Sequence, residues 1–262
     1  MEKETRLTGG AARAMARPRK MNRRPRAVRV AALFSALAAA PVPAAAQFGA
    51  CWPVAQLAAA PAPQVVLREN RRPVATIPTR WFIAVNHINR RINAVSGVDA
   101  RFILCASSEP NAFAGYPGGE PFVGLTVGMR ELLGDDWHAY AAILGHENAH
   151  LVRNHGRKRR QRESVAALGQ LLGGALLSGA GGAVVANSVN LTAQAVTSGY
   201  SQEDEHEADR DGMRYAHAAG FDPRGALTLH AKLKSASHFL HSHPSSADRI
   251  RRLKAELKRN GW

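Results

Sequence analysis

Two histidines four residues apart enclose a glutamate in the segment His146-Glu147-Asn148-Ala149-His150. On an α-helix, positions i and i+4 share one face about a turn apart, so both imidazoles can reach a single cation. Neutral imidazoles are ordinary zinc ligands at about 2.0–2.1 Å. Glu147 falls about 100° further round the helix, off the metal but within reach of a water beside it, whose proton a carboxylate can take. These residue types at this spacing suit amide hydrolysis, with His146 and His150 holding one Zn²⁺ per chain and Glu147 as general base. The competing reading is a solvated polar helix face. The apolar lead-in Tyr140-Ala141-Ala142-Ile143-Leu144 argues against it, because it buries the helix that carries the site.

A catalytic zinc needs a third protein ligand and an open position. Glu205-His206-Glu207-Ala208-Asp209 offers Glu205 and Asp209, again at i, i+4. With Glu205 as ligand, Asp209 lies one turn on, where it can accept the N–H of a ligating histidine and fix its tautomer. His206 is the rival ligand, and Glu207 reads as a surface charge. His243 has two readings. It approaches the pocket, donating to the oxyanion or filling the open metal position as a latch, or it is a surface histidine in the turn before Pro244. His155 reads as a helix-end cap or a neighbour of the ligands.

These side chains need helices to aim them. Asp135 and Asp136 suit the N-terminus of a helix running through His150 to about Asn154, with Gly156 as stop signal. A second helix spans Glu203 to Ala219 and ends at Gly220. A third starts at Pro223 and runs through Lys234, and Ser245 to Lys258 is a charged amphipathic helix. Upstream, Trp81, Val85, Ile88, Ile92 and Val95 recur in steps of four and three, predicting a helix from Thr79 to about Val95. Arg101–Cys105 and Pro121–Val127 read as strands, and Asn111–Ala114 as a short edge strand before a Gly/Pro loop at 115–119. The fold class is therefore α+β, mainly α, with a small β-sheet over residues 79–262. An extended substrate can add to the edge near Asn111 by main-chain hydrogen bonds.

Residues 1–46 hold ten Lys/Arg against two acids, a net +8 of the chain's formal +15. The basic stretch Arg23–Arg29, the apolar run Val30–Ala40 and Ala44-Ala45-Ala46 before Gln47 follow the order of an export signal. An uncleaved membrane anchor is the rival, but the run is short of a bilayer and is followed by Pro41 and Pro43. Because so much of the charge sits in this leader, and no aromatic-interleaved basic motif is present, nucleic acid is not an expected partner. Residues 47–78 are Ala- and Pro-rich and read as an irregular arm. Cys51 and Cys105 would pair in an oxidising compartment. Lipidation of Cys51, or two free thiols, are the other readings. Ser164 to Gln202 holds no charged residue. It fits a buried helical hairpin, a lid or peripheral membrane contact, or a spanning helix.

Several ordered strings resemble the M48 family of zinc peptidases, which pair an HExxH helix with a later ExxxD helix. They are Asn111-Ala112-Phe113-Ala114 with Gly118-Gly119, His150 followed by Asn154-His155-Gly156, Tyr200-Ser201 before Glu205-His206-Glu207-Ala208-Asp209, Gly220-Phe221-Asp222-Pro223, and His243-Pro244-Ser245. The resemblance covers roughly Arg80 to Leu253. Gln202 departs from the family's usual Arg, Trp137-His138-Ala139 from a more acidic lead-in, and Asn148 is polar. The resemblance implies a zincin-like fold, with His146, His150 and Glu205 as zinc ligands and Glu147 as base. It implies an endopeptidase acting on exposed or misfolded polypeptide in a bacterial periplasm, with envelope or outer-membrane assembly proteins as partners. The alternative is a zinc-containing, chaperone-like binding module with little turnover.

Overall fold

The Ala and Pro content of residues 47–78 conceals an alternating pattern, and residues 49–78 are folded rather than an irregular arm. A computed structural model describes residues 49–165, 199–244 and 247–262. The leader, and the uncharged interval between 166 and 198, lie outside them. Strand β1 (Cys51–Pro53) and the short helix α1 (Val54–Ala58) precede a hairpin of β2 (Gln64–Glu69) and β3 (Arg72–Pro78). In β2, Val65 and Leu67 are buried while Gln64, Val66 and Arg68 are exposed, the period of a half-buried strand. Asn70 and Arg71 make the turn with φ of 48° and 67°, a pair of positive values that matches the strands' right-handed twist. Val54, Val65, Leu67 and Ile77 join the main core. The described residues all fall within one compact unit.

Helix α2 (Thr79–Ser96) follows, then β4 (Arg101–Cys105), β5 (Ala112–Gly115) and β6 (Phe122–Thr126). Trp81, Val85, Ile88 and Ile92 are buried along α2, and Val95 is partly exposed at its end. Asn89 and Asn93 donate to the Ala100 carbonyl at 3.0 and 2.9 Å, tying the helix to the start of β4. The sheet order is β1-β4-β6-β5, with β4 and β6 parallel and the outer strands antiparallel to their neighbours. Cys51 lies opposite Cys105 in the β1–β4 register, and the two form a disulfide with Cα atoms 4.0 Å apart. β5 is an edge strand, but Asn111 is not part of its free edge. Its N–H donates to Thr126 Oγ1 at 2.9 Å and its carbonyl accepts from Thr126 N at 3.1 Å. Both main-chain groups face inward to β6, and the N–H of Ala112 is taken by Asn111 Oδ1 at 2.9 Å, so the edge left for strand addition starts at the Ala112 carbonyl.

Thr126 also caps α3 (Val127–Leu133), accepting from Met129 N at 3.1 Å. Asp136 caps α4 (Trp137–Val152), accepting from Ala139 N at 3.0 Å. Every residue of α4 from Ala139 to Leu151 is buried, which makes it the central helix. Gly156 does not stop it. Asn154 does, at φ 55°, since Asn tolerates the left-handed region. Helix α5 begins at once over 155–165, with Gly156 in its first turn. After the undescribed interval come α6 (Gln202–Ala218), α7 (Gly225–Lys232), α8 (Ser237–Ser242) and α9 (Ala247–Asn260). Ser201 and Asp204 close a reciprocal capping box at the start of α6. Helix α6 crosses α4 at Gly145 and Gly212. A Cβ on Gly145 would lie 2.7 Å from the Gly212 carbonyl oxygen, and one on Gly212 would lie 2.7 Å from His146 N. Only two residues without side chains allow that approach. The result is a mainly helical α+β fold with one small mixed sheet. Among the described residues no helix is long and apolar enough to cross a membrane.

Candidate metal centre

The buried α4–α6 crossing brings the chemistry-bearing side chains together. α4 supplies His146, Glu147 and His150, α6 supplies Glu205 and Asp209, and His243 follows α8. Ligand atoms of His146, His150, Glu205 and His243 all lie within 4.8 Å of one another, the only such group among the described residues. His146 Nε2 and His150 Nε2 are 3.0 Å apart. Glu205 Oε2 is 3.5 Å from His146 Nε2, and Glu205 Oε1 is 3.4 Å from His150 Nε2. His243 Nδ1 lies 3.3 Å from His146 Nε2 and 3.0 Å from Glu205 Oε1. His243 is only 1% exposed, which excludes the surface-turn reading. His206 does not join the group; its Nε2 faces Asp248 at 3.3 Å.

Tautomers follow from the outer contacts. His146 Nδ1 lies 3.0 Å from Asp209 Oδ1, so it donates and leaves Nε2 as a bare lone pair. His155 Nε2 lies 3.1 Å from Glu207 Oε2, and His155 Nδ1 lies 2.9 Å from His150 Nδ1. With Nε2 donating to Glu207, the neutral His155 accepts at Nδ1. His150 therefore donates from Nδ1 and also presents a bare Nε2. Burial lowers both His150 and His155 below the ordinary histidine value, keeping them neutral. Glu207 is thus the end of a relay to His150, and it also faces Arg153 at 3.5 Å. It is not a mere surface charge.

The carboxylates around these imidazoles are charged or poised, and they act on the imidazoles in turn. Burial opposes the charge on His146, but Asp209 and Glu205 outweigh it and raise the histidine. Burial raises Glu147, with His243 and His146 offsetting part of the rise. Asp209 is held well below the carboxylate range because Arg249 more than compensates its burial. Both oxygens of Glu147 are buried without an aligned hydrogen-bond donor, with His243 Nε2 3.5 Å from Oε1, and Glu205 Oε2 has the charge of Arg249 beside it but no aligned donor. Such orphaned acceptors are costly unless a cation satisfies them. Two bare imidazole nitrogens, a third histidine and donorless carboxylate oxygens form the nitrogen-and-oxygen set that suits zinc. Asn148, polar where an apolar residue is expected, donates to Leu144 O at 3.1 Å and accepts from Ser96 Oγ at 3.2 Å.

Three residues to which the sequence alone assigns no role pack against these groups. Tyr200 stacks on His150 with ring centroids 3.9 Å apart, and Phe239 stacks on His243 at 4.5 Å. Arg249 grips Asp209 through Nε and Nη2, both at 2.7 Å. A signal for it exists. Arg249 shares the stripe of Leu253, Glu256 and Leu257, the buried positions of α9.

The family model for Peptidase family M48 matches residues 85–257. The chain is 32% identical over 185 residues to the mitochondrial metalloendopeptidase OMA1 of Schizosaccharomyces pombe, covering 66% of this chain and 52% of that protein. It is 29% identical over 166 residues to the beta-barrel assembly-enhancing protease of Escherichia coli, covering 57% and 32%. It is 27% identical over 178 residues to the metalloprotease LoiP of Escherichia coli, covering 64% and 67%. The chain thus spans about half the length of the first relative and about a third of the second. The matched span takes in α4, α6 and the His243 turn together, and the chain belongs to peptidase family M48, the zinc metallopeptidases.

Proposed function

We propose that this chain is a zinc-dependent endopeptidase that cuts exposed or misfolded polypeptide in the cell envelope after export. The observation that carries the reading is Glu147, a fully buried carboxylate with no aligned hydrogen-bond donor, beside His146, His150 and Glu205. His146 and His150 would hold the metal through Nε2, with Glu205 as the third ligand. A bound zinc ion would supply Lewis acidity to the scissile carbonyl and to water beside it. Glu147 takes the proton from the attacking water and returns it to the leaving amine. Burial lifts its proton affinity toward the working range of such a group. The edge of β5, from the Ala112 carbonyl, orients an extended peptide by main-chain hydrogen bonds. The leader pattern and the Cys51–Cys105 disulfide support an exported, oxidising location. The name of the Escherichia coli assembly-enhancing relative supports envelope or outer-membrane assembly proteins as partners.

A zinc-holding, chaperone-like module is favoured by one feature. His243 brings a fourth donor into the group, where a catalytic zinc keeps an open position. Glu147→Gln separates the two readings. It keeps the shape and removes the proton acceptor, so casein cleavage should fall by about 10²–10⁴-fold while elemental analysis finds zinc retained. Undiminished cleavage would reject the general base. Loss of cleavage with an unaltered cellular phenotype would favour the binding module.

A further inference from the structure

Arg249 is 2% exposed and comes from α9, far in sequence from the zinc-holding residues. All three arms of its guanidinium end on that group or its immediate support. Nε donates to Asp209 Oδ2 and Nη2 to Asp209 Oδ1, each at 2.7 Å. Nη1 lies 2.5 Å from Glu205 Oε2 and donates to the Pro244 carbonyl at 3.1 Å. The contact with Glu205 is a charge contact without hydrogen-bond alignment, which is why Oε2 still lacks a donor.

Each contact fixes a different part of the site. The two-point grip on Asp209 sets the carboxylate that accepts from His146 Nδ1. The charge contact holds Glu205 Oε2, leaving Oε1 to face His150 and His243. The Pro244 bond anchors the backbone next to His243. Glu205 and Asp209 are like charges one turn apart on α6, and the cation between them offsets their repulsion. Stability alone is a poor account, since buried ion pairs are often replaceable by apolar groups of similar volume without loss. A lysine would supply the charge but not the planar fork that meets Asp209 at two points.

We propose that Arg249 is a positioning residue that holds Glu205, Asp209 and the His243 turn in register before zinc binds. The inference rests on the zinc-site reading above. The test is the zinc dissociation constant of the full chain, measured by competition with a chromogenic chelator, for the unaltered protein, Arg249→Gln and Arg249→Lys. Circular dichroism and thermal melting of the zinc-free forms report folding. Folded Arg249→Gln should bind zinc about 10–100-fold more weakly, with Arg249→Lys between it and the parent. An affinity within about threefold of the parent in folded Arg249→Gln overturns the proposal. If Arg249→Gln does not fold, Arg249→Lys decides by the same threefold margin. Failure of the unaltered chain to bind zinc would instead overturn the site itself, and this inference with it.

Discussion

Replacing Gly212 by Ala tests whether the α4–α6 crossing sets the metal centre. A Cβ at Gly212 would lie 2.7 Å from His146 N and 2.9 Å from His146 Cα. An ordinary contact begins near 3.4 Å, so the helices must part by about 0.7 Å. The obstacle is backbone and cannot rotate aside. α4 carries His146 and His150 while α6 carries Glu205 and Asp209, so that opening separates the two halves of the ligand set. Helix propensity alone favours Ala over Gly by about 1 kcal/mol. Overpacking costs about 1–3 kcal/mol. The net is a loss of about 1 kcal/mol, or about 2–4 °C in Tm for a domain of this size. The effect on catalysis should be larger, because about 1 Å of misplacement can cost about 10²-fold in rate. Thermal melting and casein cleavage of the zinc-loaded variant measure both. A raised Tm with unchanged cleavage would refute the reasoning, since it would show that the crossing tolerates a methyl without moving the site.

Removing the disulfide by Cys51→Ala with Cys105→Ala opens a loop with a sequence separation of 54. It should cost about 2–4 kcal/mol and lower Tm by about 5–15 °C, readable by calorimetry; an unchanged Tm would mean β1 is held by packing alone. His243→Ala removes the fourth donor from the group. Peptide cleavage should rise severalfold if the residue closes the site. A fall would assign it instead to transition-state support, and an unchanged rate at every pH would reject both roles.

The parts of the site legible in the sequence are those whose geometry is local. His146 and His150, or Glu205 and Asp209, share a helix face wherever the helix sits, so spacing alone places them. The Asp136 cap and the buried stripe of α2 are legible for the same reason. What the chain hides depends on partners far away. Arg249 is marked in the sequence only as the cation on the stripe of Leu253, Glu256 and Leu257, and its partner Asp209 lies on another helix. Gly212 reads as an ordinary weak helix position until Gly145 is laid against it. Asn111 reads as the start of an edge, and only the register with Thr126 shows that its main-chain groups point inward. The hairpin of β2 and β3 was obscured by composition, because alanines and prolines around it outweigh the short alternation at Val65 and Leu67. Glu207 reads as solvated because its partner, His155, lies on another helix.

The bond between Cys51 and Cys105 has a consequence for how damage to this molecule would be seen. The hairpin tip at Asn70, Arg71 and Arg72 is exposed and lies inside the segment that the disulfide closes. A protease that nicks the tip, including another copy of this chain, therefore leaves the two pieces covalently joined. The cut molecule keeps its mass on a gel run without reductant and falls into two bands only when a thiol is added. Preparations judged intact under non-reducing conditions can thus carry a population already cleaved at its own periphery, with the metal centre still held in one piece.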